Sequence, residues 1–357
     1  MTKFKPNGFV VFANEYKRTH NVQYYTFREL LDVISPFWNE LPETDKERYK
    51  DKAKANAKRL EFKRTRETSN NEEVLEKRLK LVDVEADKKQ RIEDLVYTAS
   101  DLGELDDKIF YFVNISTFFE DLNDVYPAEF ALAKYSLRKG LIDTLHIKIN
   151  PGELPLGASY PALEKANKTH KYLLPNVKEG SNYDYGESSY LLILMSILDF
   201  IDPIEDAPID DLPLFFTEGS SVNDYNKLIS VQKAFVRIFE KAGEYDIASD
   251  LKLYSVVDLF YYLNEVSNTS VVYPEDKNEK FSSLTHADES FRRADRLFGY
   301  LAKGCDFHEE NDVLSSCCLS RVRSYGYILS KYCVNSVKYP LIEGKHFPKT
   351  FILNLSI

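Results

Sequence analysis

The sequence predicts an α+β protein in two parts: a small three-helix N-terminal domain, then a larger α/β domain built on a mixed sheet. Three observations carry this. Over the first 70 residues apolar side chains recur at helical spacing, as in Phe9, Phe12 and Tyr16 and again in Phe27, Leu30, Leu31 and Ile34. From Asp106 the texture changes to short apolar runs bounded by turn formers, the first being KIFYFVNI. The charge divides at the same place: residues 1–70 carry 15 Lys+Arg against 10 Asp+Glu, and the remainder carries 32 against 47. A chain of 357 residues, 43% hydrophobic, is long enough for both parts, and its net charge of -10 argues against a protein that coats nucleic acid over its whole surface.

Each element follows from a local signal. Helices are expected at residues 9–20, at 26–39 with Thr26 as N-cap, and from 43–46 onward, with Pro6, Pro36 and Pro42 as punctuation. The expected domains are 1–70, a charged helical linker at 71–104 with a separate helix over 74–97, a main domain at 105–335 and a tail at 336–357. In the main domain KIFYFVNI, EFALAKYSL and LIDTLHIKI form three consecutive strands, and the third ends at Asn150-Pro151-Gly152. YLLILMSILDFI then reads as a buried helix, LPLFFTEG as a short strand, SVNDYNKLISVQKAFVRIFEKAG as an amphipathic helix and KLYSV as another strand, with two more helices after it. A three-strand meander followed by alternating helices and strands gives the mixed sheet.

No apolar run approaches the roughly 18 residues of a membrane span, and no signal pattern opens the chain, so the protein is expected to be intracellular and without a membrane partner. Its four cysteines, Cys305, Cys317, Cys318 and Cys333, cluster near the C-terminus, unlike a secreted disulfide scaffold. Metal binding and plain burial are the two readings left.

The segment KPNGFVVFANEYKRTH, followed by PFWNELPETDKERYKDKAKANAKR, resembles the HMG box over about 60 residues. The resemblance makes Phe9, Phe12, Trp38 and Tyr49 an aromatic core. It places Val10 where such boxes set an apolar wedge between base steps, and Asn7 where they set a minor-groove hydrogen-bonding residue. Lys3, Lys5, Lys17, Arg18 and Arg28 are the candidates for phosphate contacts, or else ordinary solvated cations. Because Glu15, Glu29 and Asp32 interrupt the basic face and valine is a small wedge, binding to structured RNA or branched nucleic acid by shape fits better than tight duplex binding.

The second domain resembles a ribonuclease-H-like fold related to the DEDDh exonucleases, through its strand, tight turn, strand and Asn-Pro-Gly ending. Such an enzyme needs an Asp-x-Glu pair on its first strand, because carboxylates must hold two divalent ions against the reacting oxygens. Asn114 and Ser116 stand there instead.

A box joined to a degenerate exonuclease fold, together with FYFVNI, AKYSL, HIKINPGELPLG, KTHKYLLP and HEENDVL, resembles the Maelstrom family over about residues 5–335. The resemblance implies a piRNA-pathway factor that represses germline transposons. It implies structured or single-stranded RNA, DNA and piRNA-pathway proteins as partners, and residence in nucleus, cytoplasm and perinuclear granules (nuage). No conventional catalysis is expected. Two alternatives are an active single-strand RNA nuclease, for which no catalytic residue can be named, and an architectural chromatin protein working through the box alone.

Cys305 and His308 lie three residues apart and Cys317 follows nine further on, a soft donor set that suits tetrahedral zinc but is one ligand short. Burial as small apolar residues on a helix accounts for the cysteines equally well. The Maelstrom resemblance implies Glu129 as the fourth ligand of a structural Zn2+ site. Cys318 could replace Cys317 by one residue of helix rotation, and His170 is an alternative ligand, a leftover general base or a structural histidine. A basic patch around Lys134, Lys139, Lys165 and Lys168 is the expected RNA path, against a solvated charged face.

Overall fold

In this structure, a computed structural model, residues 8–20, 27–121, 124–175, 183–201, 212–219, 225–269, 279–334 and 338–349 are described; for 10, 14, 17–20, 27–32, 55–83, 225, 246, 250, 268 and 269 this means the backbone alone. The chain divides into two compact units, Met1–Val84 and Glu85–Ile357.

The first unit contains α1 (Gly8–His20), α2 (Phe27–Asn39) and the start of α3 (Glu43–Asp101). Aromatic residues at helical spacing close its core. Phe12 packs on Trp38 and Tyr49 with ring centroids 5.4 and 5.3 Å apart, and Phe9 lies 5.7 Å from Trp38. Ala13 and Ile34 are fully buried beside them, and Lys52 pairs with Glu15 at 2.9 Å to tie α3 to α1. Where the sequence reading expected two helices, one helix runs from Glu43 to Asp101. Its last turns are not a linker: Ile92, Val96 and Ala99 are buried in the core of the second unit.

The second unit is a five-stranded sheet with helices on both faces. Its strands are β1 (Phe110–Glu120), β2 (Val125–Ser136), β3 (Gly140–Lys148), β4 (Phe215–Thr217) and β5 (Leu253–Ser255), in the order β3-β2-β1-β4-β5. The first three pair antiparallel; β4 and β5 add parallel to β1. Covering both faces makes the central strands apolar on both sides. Phe112, Ala131, Ala133 and Tyr135 face α8 (Val256–Thr269), α9 (Leu284–Leu301) and α11 (Cys318–Cys333). Val113, Phe130, Leu132 and Phe215 face α5 (Tyr190–Ile201), α6 (Tyr225–Ala242) and, through Ala248, the short α7 (Tyr245–Asp250). A third cluster packs α4 (Ser159–Lys168) against Phe118 and Ala128.

Two expectations change. The helix YLLILMSILDFI is buried on one face only, through Ile193, Leu194, Ile197 and Ile201, while Leu191, Leu192 and Met195 are 55%, 51% and 51% exposed. Its all-round hydrophobicity suggests immersion, but only that face is covered, by α6 and the sheet. The segment after 336 is part of the fold: Leu141 donates its N–H to Lys345 O at 2.9 Å, and buried His346 reaches Leu137 O at 3.3 Å. Gly140, at φ +66, permits this approach, since a Cβ there would lie 2.5 Å from Lys345 O. Among the described residues no helix is long and apolar enough to cross a membrane.

At the C-terminal ends of the parallel strands Asp258 is 3% exposed, and its Oδ1 has no hydrogen-bond partner. Burial pushes its carboxyl up to about 7, with Glu85 and Asp288 adding and Lys89 and the Ser255 hydroxyl opposing. An acid whose folded pKa is raised keeps its proton in the native state while the unfolded chain releases it. Stability therefore falls as pH rises from about 4 to about 7, by about 4 kcal/mol at most, and then levels off. Asp258→Asn is expected to raise the melting temperature at pH 8 and to leave it unchanged at pH 4, measured by thermal denaturation at the two pH values.

Candidate metal centre

Four donors converge beside α11. Glu129 comes from β2, on the face it shares with Ala131 and Ala133. Cys305 caps the N-terminus of α10 (Asp306–Glu310), which carries His308, and its carbonyl accepts the N–H groups of His308 and Glu309 at 3.1 and 3.0 Å. Cys317 occupies the N-cap position of α11. Gly304 leaves space for it, because a Cβ there would meet the Cys317 sulfur at 3.3 Å. The ligand atoms of Glu129, Cys305, His308 and Cys317 all lie within 4.8 Å of one another.

The separations suit one small cation. Cys305 Sγ is 3.0 Å from His308 Nδ1, and Glu129 Oε1 is 3.6 Å both from Cys317 Sγ and from His308 Nδ1. A tetrahedral zinc with sulfur, nitrogen and oxygen ligands sets its donors roughly 3.3–3.8 Å apart. The electrostatics point the same way. The hydrogen bond from Cys317 holds the Cys305 thiol down to about 3; burial opposes this, and the contact with His308 adds to it. The Cys317 thiol moves up correspondingly, because it keeps the proton it shares with Cys305 and is buried near Glu129. Burial works against a charged His308, yet Cys305 and Glu129 raise its pKa. Glu129 is 0% exposed, and among the described residues its ion-pair partners are the histidines His146 and His308, with no lysine or arginine. A buried carboxylate beside a half-buried thiolate, with no permanent cation among the described residues, calls for one.

Other residues around the site fall into place. Cys318 lies just outside the cluster: its N–H donates to Glu129 Oε2 at 3.2 Å and its thiol to Glu129 O at 3.7 Å. His170, the alternative ligand, stands outside the set of four converging donors. Its Nδ1 accepts the Tyr172 N–H at 3.1 Å, its ring meets Phe118 edge-on at 4.9 Å, and burial lowers its pKa to about 3. His146 was missed by the sequence reading. From β3 its Nε2 reaches Glu129 Oε1 at 2.6 Å, fixing the carboxylate from behind. The alternation of LHIKI puts His146 and Lys148 on one face, but only the register Ala131↔His146 and Glu129↔Lys148 shows that it is Glu129's face.

The corner of the sheet where nuclease acids were sought is occupied otherwise. Asn114 donates its amide N–H to Tyr325 Oη at 3.1 Å, and Ser116 pairs in register with Glu129. Arg321 on α11 grips both oxygens of Asp295 at 2.9 and 2.8 Å and also bonds Glu218, just past β4. The proposed basic patch separates into local contacts: Lys134 lies over the Phe200 ring at 5.0 Å, Lys165 bonds Thr117 and Lys168 pairs with Glu164. Lys139 N–H donates to Ser136 Oγ at the β2–β3 turn. Among the box candidates Lys3, Lys5 and Asn7 lie outside the described residues. So do the side chains of Val10, Lys17, Arg18 and Arg28, although their backbones are helical.

Residues 119–351 match the family model of Maelstrom, described as a piRNA pathway germ-plasm component. The chain belongs to the Maelstrom family. Residues 2–70 match the HMG-box domain model, so the Maelstrom region is preceded by an HMG box. The chain is similar to a protein maelstrom homolog of Culex quinquefasciatus, 29% identical over 95% of this chain and 64% of that protein. It is also similar to protein maelstrom 2 of Drosophila pseudoobscura pseudoobscura (28% identical, 98% of this chain and 92% of the relative) and to protein maelstrom of Drosophila melanogaster (25% identical, 98% and 72%). The chain thus spans just under two thirds of the mosquito relative. The four converging donors all lie within the Maelstrom match.

Proposed function

We propose that this Maelstrom-family protein is a piRNA-pathway factor that silences germline transposons, in nucleus, cytoplasm and perinuclear granules, by binding structured or single-stranded RNA. The box and a catalytically degenerate ribonuclease-H-like domain share that binding. Family membership supports the pathway. The three-strand meander with two parallel strands added beside β1 supports the ribonuclease-H-like reading. One observation carries the non-catalytic reading. Asn114 and Ser116 stand at the acid positions, and the carboxylates of Glu218 and Asp295 nearby are held by Arg321 rather than left for two divalent ions.

Glu129, Cys305, His308 and Cys317 are the residues that would hold a zinc ion. Four protein ligands leave no open position for water, so the ion supplies cross-linking and charge neutralisation, not hydrolysis. It would pin β2 to the start of α11. His146 and the Cys318 N–H position the Glu129 carboxylate. His146→Ala is expected to weaken metal affinity about 10- to 100-fold, read by chelator competition.

The direct test is twofold. Metal analysis of the purified full chain should give one zinc per molecule. Crosslinking and sequencing of bound RNA should recover RNA from the full chain beyond what residues 1–70 recover alone. Absence of stoichiometric zinc defeats the structural site, and identical recovery by the box defeats the shared-binding reading.

A further inference from the structure

Next to the metal cluster a cavity of about 460 Å³ is lined by His146, Lys148, Tyr172, Tyr183, Asp184, Cys305 and Phe307. Lys148 is the last residue of β3, and its ammonium lies over three aromatic faces: 4.2 Å from the Tyr183 centroid, 4.7 Å from Tyr172 and 5.3 Å from Phe307. Its hydrogen bond goes to the backbone carbonyl of Asp184, whose carboxylate turns instead to the Gly186 N–H at 2.8 Å. Among the described residues no carboxylate forms an ion pair with Lys148. A lysine kept purely for packing would pair with an acid or extend its ammonium into water. Here a cation with no ion-pair partner among the described residues is held among aromatic rings in a cavity of small-ligand size.

We propose that this cavity receives one nucleotide of a single-stranded RNA, its phosphate on Lys148 and its base against the Tyr183 and Phe307 rings. The proposal rests on the RNA-binding reading above and names its site in the second unit. Single strands are held by a cation on the backbone and aromatic faces on the bases, because every base offers a π-face whatever its identity. Tyr183 is braced for this, since its hydroxyl accepts the Leu173 N–H at 3.1 Å. Phe307 is braced from the other side, between the candidate ligands Cys305 and His308, and packs on Tyr172 at 4.7 Å. One wall of the cavity is therefore built by the metal-binding turn, so loading that turn would also set the RNA subsite.

The test uses the full chain and a fluorescein-labelled 12-nucleotide oligouridine, titrated by anisotropy at several salt concentrations. Lys148→Met should lower the salt slope of log K by about 0.7, the loss of one phosphate contact on a single strand. Tyr183→Ala should weaken binding about 5- to 100-fold, with recovery in Tyr183→Trp, as stacking requires. A 4-thiouridine oligomer should crosslink to the peptides carrying Tyr183 or Phe307. Both variants must keep the wild-type circular dichroism and metal content. Unchanged affinity and slope in both, or crosslinks confined to residues 2–70, overturn the site while leaving RNA binding standing. No binding by the wild type overturns the RNA reading and the site together. Loss of the crosslink to an equal nucleotide concentration of UMP would mean that the cavity takes free nucleotides, which overturns the single-strand assignment.

Discussion

Replacing Cys317 with serine is expected to abolish stoichiometric zinc binding and to lower the melting temperature of the second unit by roughly 10 °C. Glu129 and His308 are fully buried around the Cys317 sulfur, which is itself 0% exposed. Without a cation the buried Glu129 carboxylate and the half-buried Cys305 thiolate are left, among the described residues, with histidines as their only charged partners. Removing one partner of a buried charge set costs about 3–5 kcal/mol, and each 1 kcal/mol moves the midpoint of a domain this large by about 2–4 °C. The lost link also spans distant parts of the chain, since Glu129 and Cys317 are 188 residues apart. Cys318→Ser is the control. That residue is as buried, but its thiol bonds Glu129 O outside the donor set, so zinc should stay stoichiometric and the melting temperature should fall far less. Thermal denaturation with and without a chelator separates the two: chelation should lower the wild-type midpoint to that of Cys317→Ser and leave Cys317→Ser where it is. Equal midpoints for wild type and Cys317→Ser would contradict the account.

What could be read from the sequence follows the range over which each signal acts. β1, β2 and β3 were legible because apolar runs, a Lys139-Gly140 turn and an Asn-Pro-Gly ending are local features. The short parallel strands were legible for the same reason, as LPLFF and KLYSV stand out between helical segments. The length of α3 was not, because its charged middle carries no periodic stripe and its end is fixed by tertiary contacts of Ile92 and Val96. The C-terminal segment after 336 looked like a tail because its attachments, such as Leu141 N–H to Lys345 O and Tyr339 to Asp106, join residues far apart in sequence, by 233 positions in the second case. At the metal centre the spacing of Cys305, His308 and Cys317 is a local pattern, so three donors could be found by reading. Glu129 entered only through family resemblance, and His146 not at all, since both depend on the register of β2 against β3.

The least legible feature is also the one whose removal should be most instructive. Arg321→Met is expected to destabilise the second unit by about 3–5 kcal/mol at neutral pH, because it leaves Asp295 without its arginine and Glu218 with only Lys227, at 3.7 Å, in a largely buried site. In the wild type the side chains of Arg321, Glu218 and Asp295 are 15%, 19% and 20% exposed. Burial pushes the Glu218 carboxyl up, but Arg321 outweighs it, and the net result is a pKa below the usual carboxylate range. A depressed acid contributes stability that is present above its unfolded pKa and lost as pH falls through its folded one. In Arg321→Met most of this contribution disappears, because Lys227 alone is left to oppose the burial of Glu218. The variant's deficit against wild type should therefore be largest near pH 7 and shrink toward pH 4, as Glu218 takes up a proton and its unpaired charge is removed. Urea denaturation at both pH values reads this directly. A deficit of the same size at pH 4 would assign the loss to packing of the arginine stem rather than to charge. The neutralised triple variant Glu218→Gln, Asp295→Asn, Arg321→Met should recover most of the stability at pH 7, since replacing a whole buried charge set is far cheaper than breaking it. That recovery would show that the arginine is needed because the acids are there. The acids near Asn114 then serve as its fixed counter-ions, which is why this corner of the sheet can stay folded without divalent metal.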